Sequence, residues 1–200
     1  MESTKTRILK KLLETDGYLS GQDLCEQLGV SRTAVWKYMK QLKEEGYEIE
    51  AVQNKGYCLK DVPDVLGESE IKSRLHTRWA GQTLYYYDEI DSTNTQIKRL
   101  AEEDAPHGTL AVADYQSKGK GRRGHAWDSP HGSAIYMSIL FRPDIRPDRA
   151  SMLTLVIGLS VAQAIRSNLG VQAQIKWPND VVLNGKKLVG ILTEMSAQMN

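Results

Sequence analysis

Two hundred residues allow one or two domains, and 40 % hydrophobic with 26 % charged residues excludes a disordered or fibrous chain. With 26 Lys and Arg against 25 Asp and Glu the formal net charge is +1, so any binding of nucleic acid or phosphate must come from local clusters. Two cysteines without CxxC spacing, Cys25 and Cys58, and four scattered histidines without an HExxH pattern exclude a disulfide framework and a metal site built from protein ligands alone.

Met1, Glu2, Ser3, Thr4 and Lys5 carry charge and no apolar block, so no secretory signal is expected and the location read from the sequence is cytoplasmic. The longest uncharged stretch, residues 150–165, is 16 residues long and contains Ser151, Thr154, Gly158, Ser160 and Gln163. It is too short and too polar for a bilayer span, and a core helix over residues 150–168 is expected.

Ile8, Leu9, Leu12 and Leu13 recur at helical spacing up to the break at Asp16-Gly17. Ser20 then caps a short helix with Leu24, Cys25 and Leu28 on its inner face and Gly29 at its end. Ser31 caps a third helix over residues 32–45, with Val35, Met39 and Leu42 inward. Two helices joined by Leu28-Gly29-Val30-Ser31 make a helix-turn-helix, whose second helix would offer Ser31, Arg32, Thr33 and Trp36 to base edges and Lys37, Lys40 and Lys43 to phosphates. Strands at 47–53 and 56–59 around Asn54-Lys55-Gly56 form the wing and put Lys55 at its tip. Residues 1–60 hold ten Lys and Arg against nine Asp and Glu, but four of the ten lie between 32 and 43, a stretch without an acid. A helical interaction module with a solvated basic face is the alternative.

Residues 60–67, broken by Pro63 and Gly67, read as a boundary. The expected organisation is a winged helix-turn-helix over 1–62, a linker with the first helix of the next domain over 63–82, and a second domain over 83–200. In that domain strands are expected at 84–88, 110–114, 134–141, 174–177, 181–183 and 187–193, with a helix at 93–103 besides that at 150–168. Asn184-Gly185 is a two-residue hairpin signal. Helices alternating with hairpin-joined strands imply an α/β domain with a mixed sheet.

The most informative segment is Gln116-Ser117-Lys118-Gly119-Lys120-Gly121-Arg122-Arg123-Gly124-His125-Ala126-Trp127. Its glycines satisfy G-x-G-x-x-G, but a dinucleotide fingerprint needs a helix starting inside them, and Asp128-Ser129-Pro130-His131-Gly132 cannot continue one. Three glycines interleaved with four cations describe instead a mobile loop able to wrap a phosphate. Taken alone, a solvated basic loop or a second nucleic-acid patch stays open.

Asp91-Ser92-Thr93-Asn94, the glycine-cation loop, Lys176-Trp177-Pro178-Asn179-Asp180 and Gly185-Lys186-Lys187-Leu188-Val189-Gly190-Ile191-Leu192 occur in that order after the winged helix. The set resembles the bifunctional biotin protein ligase/repressors, and the likeness covers nearly the whole chain. What the resemblance implies is a catalytic domain of the biotin ligase fold with biotin, ATP and Mg²⁺ as ligands. It implies formation of biotinyl-5′-adenylate, transfer to a lysine of a biotin carboxyl carrier protein, and adenylate-dependent repression by a homodimer on operator DNA. On the same footing Ser92, Thr93, Asn94 and Gln116 line the biotin pocket, and Gly119, Lys120, Gly121, Arg122 and Arg123 close over carboxylate and phosphate. Trp127 stacks near adenine, Gly190 lies in the adenylate site, and Lys187 and Arg122 are the catalytic cations. Asn179 and Asp180 offer oxygens to the nucleotide or Mg²⁺, with a turn-stabilising role as the alternative. Plain core packing is the alternative for Trp127 and helix capping for Ser92 or Thr93.

Two features depart from the family pattern. Lys120 and His125 stand where arginines are usual, and lysine lacks the guanidinium fork. Family chains also continue past position 200 with a glycine-rich ATP-contacting segment and a small β domain, so a weak or inactive, biotin-sensing DNA-binding regulator is the alternative function. A lipoate ligase of related fold is a further rival.

Overall fold

Hydroxyl caps start the first three helices in the computed structural model, which describes residues 3–196. Ser3 Oγ accepts the Thr6 N–H ahead of α1 (Thr4–Glu14), Ser20 Oγ those of Gln22 and Asp23 ahead of α2 (Gly21–Leu28), and Ser31 Oγ that of Ala34 ahead of α3 (Arg32–Glu44). Each satisfies first-turn donors that the helix itself cannot, worth about 1 kcal/mol per cap. The ends of the expected spans, residues 1–2 and 197–200, lie outside the described residues.

The antiparallel strands β1 (Glu48–Val52) and β2 (Gly56–Asp61) form the wing. A Cβ on Gly56 would lie 2.1 Å from the Leu19 carbonyl oxygen, so only glycine lets Leu19 and Tyr57 exchange backbone hydrogen bonds of 2.7 and 2.9 Å there. Ile8, Leu9, Leu24 and Leu42 are fully buried in the core that α1–α3 and the wing share, and each contributes about 1.5–3 kcal/mol.

Helix α4 (Glu68–Arg74) packs on α1 and is bonded to the winged helix at two points. The buried Tyr47 hydroxyl donates to Glu70 Oε2 at 2.5 Å, and Thr6 Oγ1 donates to Ser69 Oγ at 3.3 Å. Burial and the adjacent Glu70 carboxylate push the Tyr47 phenol above its usual range. Ile71 and Leu66 meanwhile pack against Leu84, Leu110 and Val112 of the sheet that follows.

That sheet has the order β3-β4-β5, from β3 (Leu84–Ile90), β4 (Leu110–Gln116) and β5 (Tyr136–Ile139), with β3 and β4 parallel and β5 antiparallel to β4. Helix α5 (Thr93–Glu102) makes the crossover that a parallel pair requires, and its Ile97 and Leu100 pack on Ala111 and Leu140. These elements and the winged helix form one unit, residues up to Ser117 with Ser129–Leu140. Strand β5 is shorter than the expected 134–141.

The second unit holds Lys118–Asp128 and the residues from Phe141 on. Its antiparallel sheet β6-β7-β8 comprises β6 (Gln174–Lys176), β7 (Asp180–Leu183) and β8 (Lys186–Gly190), and Asn184 and Gly185 both take positive φ in the turn joining the last two. Ala162, Ala173 and Val181 form its core. Helix α6 (Met152–Leu169) forms where expected but is not the core helix the sequence suggested, since only 11 % of it is buried. Its apolar side chains ring the helix rather than follow one stripe, so what its unit covers is the line of Gly158 and Ala162 while Leu155, Val156 and Leu159 stay exposed. With 18 residues and mean hydropathy 1.3 it is, by length and composition alone, long and apolar enough to cross a membrane.

Candidate functional site

The outer surface of α3 carries the residues assigned to DNA. Arg32, Thr33, Trp36, Lys37 and Lys40 are all exposed, Trp36 at 60 %, while Val35, Met39 and Leu42 turn inward. Two of them have local partners: Arg32 Nη2 donates to Gln22 Oε1 at 2.8 Å, and Lys40 pairs with Glu44 at 3.6 Å. The Ser31 hydroxyl is engaged as the helix cap. Lys55 stands at the wing turn with its ammonium 5.6 Å from the Tyr18 ring. Tyr18, Glu50 and Lys60 form a cluster at the wing that sequence reading missed, and Lys60 with Tyr18 holds the Glu50 carboxyl below its usual range.

In the first unit a buried polar network gathers at the start of α5. The backbone N–H of Thr93 donates to Gln116 Oε1 at 2.8 Å and the Thr93 hydroxyl donates to the same oxygen at 3.1 Å. Because the backbone N–H can only donate, the oxygen of the Gln116 amide must face it. The nitrogen then faces Ser129 Oγ, to which Nε2 donates at 2.9 Å. The Ser138 hydroxyl contacts Thr93 Oγ1 at 2.9 Å and also Asn94 Oδ1. Ser92 is 1 % exposed and occupies the cap position of α5, but its side chain makes no capping bond. Arg99 grips Asp91 through both Nη atoms, at 2.7 and 3.2 Å, and so orders the turn that delivers Ser92, Thr93 and Asn94. Thus Thr93, Asn94 and Gln116 are brought into one network, joined by Ser129 and Ser138, which no sequence motif singled out.

Two residues before Gln116, Asp114 Oδ2 lies 2.8 Å from His131 Nδ1 and Oδ1 accepts the Gly132 N–H at 3.1 Å. These bonds hold the Asp114 carboxyl below its usual range.

In the second unit the glycine-cation loop is not the open tether that its composition suggested. Trp127 N–H donates to Gly119 O at 2.9 Å, Lys120 bridges Ala126, and Gly121 N–H donates to His125 O at 2.7 Å, a ladder that closes the loop on itself. The turn at its tip, Arg122–Gly124, needs Arg123 at φ +57°, which a non-glycine residue adopts at a cost of about 1–2 kcal/mol. Lys120, Arg122 and Arg123 are thereby held outward and exposed. No nucleotide-binding helix follows, as the failed fingerprint requires.

Both cations assigned to catalysis are anchored on consecutive residues. Arg122 Nη1 donates to Asn179 Oδ1 at 3.1 Å, and Lys187 Nζ lies 2.8 Å from Asp180 Oδ1. That carboxylate oxygen is buried and receives no hydrogen bond of good geometry, so its contact with Lys187 is an ion pair and not a directed bond. Asn179 is engaged at both ends of its amide, since Nδ2 also donates to Ile191 O at 3.1 Å. The Lys187 ammonium sits 4.8 Å from the Trp127 ring centroid. Trp127 in turn lies against Gly190, where a Cβ would come within 2.9 Å of the indole. No group of three or more His, Cys, Asp or Glu able to hold a metal occurs among the described residues.

Residues 86–199 match the model of the biotin/lipoate A/B protein ligase family. The chain belongs to that family. A helix-turn-helix model matches residues 4–58. The family member is 48 % identical over 200 residues to the bifunctional ligase/repressor BirA of Bacillus spizizenii, covering 99 % of this chain and 62 % of that protein. Identity to BirA of Escherichia coli is 36 % over 188 residues, covering 94 % of this chain and 57 % of that protein. The chain thus spans about three fifths of the length of these relatives. The biotin protein ligase of Aquifex aeolicus, solved with biotin and ATP, is similar at 40 % identity with a TM-score of 0.51, over 57 % of this chain and 47 % of that one. The expected fold, a biotin-ligase domain of mixed α/β type preceded by a helix-turn-helix domain, is what the family match and the structure show.

Proposed function

We propose that this chain carries out ATP-dependent biotinylation and biotin-dependent repression, with residues 1–62 reading DNA, 63–82 linking, and 83–200 acting on biotin and ATP. The observation that carries the reading is the anchoring of Arg122 and Lys187 on the adjacent residues Asn179 and Asp180. Two cations in set positions answer the central difficulty of the reaction, in which a carboxylate must approach the α-phosphate of ATP. At about 4 Å each pair of like charges repels by roughly 1 kcal/mol in water and roughly 4 kcal/mol near a protein surface.

In the first unit, Thr93, Asn94 and Gln116 supply hydroxyl and amide groups suited to the ureido ring of biotin. Gln116 has its carbonyl saturated by Thr93 and one N–H on Ser129, which leaves the second N–H to donate to a ligand. In the second unit, Lys187, Arg122 and Lys120 offset negative charge on the carboxylate and the phosphate oxygens, and Trp127 offers a flat face to adenine. A carboxylate oxygen of biotin attacks the α-phosphorus, the bond to the β-phosphate oxygen breaks, and pyrophosphate leaves. The lysine amine of the carrier protein then attacks the acyl carbon and releases AMP.

Asp180, whose buried Oδ1 receives no directed hydrogen bond and is met only by the Lys187 ammonium at 2.8 Å, would offer its carboxylate to a Mg²⁺ that takes most of its ligands from phosphate and water. When bound, that ion would neutralise phosphate charge. Asn179, whose oxygen is held by Arg122, is less suited to it.

The adenylate acts as corepressor by binding the dimer-competent state more tightly, which delivers two winged helices to operator DNA in the cytoplasm. Pyrophosphate release in the presence of biotin and MgATP, followed by transfer of labelled biotin to a carrier domain, tests the reading. Uptake of biotin without pyrophosphate release would leave a sensing regulator, and preference for lipoate over biotin would move the chain to the other branch of its family.

A further inference from the structure

Strand β5 reverses the usual rule for which side chains face a core. Its alternation sends Tyr136 and Ser138 inward and leaves Met137 53 % exposed, so a serine takes an inward position while a methionine faces out. Ser138 is 9 % exposed, and a hydroxyl at that depth is costly unless it is bonded. Its neighbours are Thr93 Oγ1 at 2.9 Å and Asn94 Oδ1. The Thr93 proton goes to Gln116 Oε1, an atom that can only accept, so the single Ser138 proton is shared between Thr93 Oγ1 and Asn94 Oδ1.

We infer that Ser138 is a positioning residue for the ligand-binding network: by donating to Thr93 and bonding the Asn94 side chain it holds both in place, and through Thr93 it keeps the carbonyl of Gln116 occupied. Gln116 then presents an N–H to the ligand. This rests on the biotin reading of the same residues. Strand β5 thereby sets which hydrogen-bonding groups the start of α5 and the end of β4 present, although Ser138 itself reaches the ligand only through others.

The test uses the 200-residue chain and biotin, with the dissociation constants for biotin and for ATP measured beside thermal stability. Ser138→Ala and the volume-conserving Ser138→Cys are each expected to weaken biotin about tenfold and to leave ATP affinity within about twofold, while Ser138→Thr, which keeps the hydroxyl, retains biotin affinity. Folded Ala and Cys variants that bind biotin like the unaltered chain, or a folded Thr variant as weak as they are, overturn the inference. Failure of the unaltered chain to take up biotin overturns the biotin reading as well, which the measurement on that chain alone detects.

Discussion

The ammonium of Lys187 lies 2.8 Å from Oδ1 of Asp180, and the same ammonium sits 4.8 Å from the centroid of the Trp127 ring. The Lys187 side chain is 41 % exposed and that of Asp180 22 %, which places the pair between a surface bridge and a buried one. Removing the lysine alone leaves a carboxylate oxygen that no hydrogen bond satisfies. Lys187→Ala is expected to abolish pyrophosphate release and to destabilise the fold more than Lys187→Ala does in an Asp180→Asn background. A double-mutant cycle read by urea unfolding should return a coupling of about 1 kcal/mol, and additivity would mean that the pair is incidental.

Gly190 owes its identity to a close approach. A Cβ there would meet Trp127 Cη2 at 2.9 Å, Cζ3 at 3.0 Å and Lys187 Cε at 3.1 Å. Gly190→Ala must therefore displace the indole or the lysine stem, at about 1–3 kcal/mol for such overpacking. Pyrophosphate release is expected to fall at least about tenfold, a change of 1.4 kcal/mol in the barrier, while the circular dichroism of the chain stays unchanged.

Gln116→Glu separates the polarity of the amide from its shape. The carboxylate still accepts from Thr93 but has no N–H to give either to Ser129 or to a ligand. Biotin affinity is expected to drop by about ten- to a hundredfold, since one ligand donor is lost and an acceptor is left facing the ligand without a donor.

Asp114 links stability to pH. Its carboxyl titrates below the usual range because the His131 side chain and the Gly132 N–H bond the ionised form. A carboxyl depressed in the folded state contributes stability that is fully present above about pH 4 and is lost as pH falls through the lowered folded value. The urea midpoint of the unaltered chain should therefore fall more steeply below pH 4 than that of Asp114→Asn.

On the DNA side, Lys37 and Lys40 separate cleanly. Both are exposed on α3, but Lys40 already has Glu44 at 3.6 Å. Lys37→Ala is expected to reduce the slope of log affinity against log salt by about 1, and Lys40→Ala by less. Equal slopes for both variants and the unaltered chain would remove α3 from the phosphate contact.

Much of the winged helix, and the late hairpin of the second unit, was legible because the signals are local. Ser20, Ser31 and Gly29 act on backbone groups within three or four residues of themselves, and Asn184-Gly185 needs nothing beyond its own φ angles. The order of motifs likewise grouped the loop, Lys187 and the segment around Asp180, which the structure brings into contact. The closure of the loop by Gly119 and Trp127 was not legible, because glycine content reports freedom and not the bonds that remove it. Nor was the exposure of α6, since a run of apolar residues states what prefers burial and not whether a surface is there to cover it.

The amino-acid sequence by itself determined the elements, their caps and turns, and which residue types could meet a phosphate or a ureido group, because all of these depend on neighbours a few positions apart. Only the tertiary structure decided that Ser138 meets Thr93 across 45 positions, that Arg122 meets Asn179 across 57, and that Trp127 lies over Gly190. Such pairings depend on how strands and loops are laid beside one another, and the geometry that orients an amide or parks an ammonium exists only once distant segments have packed.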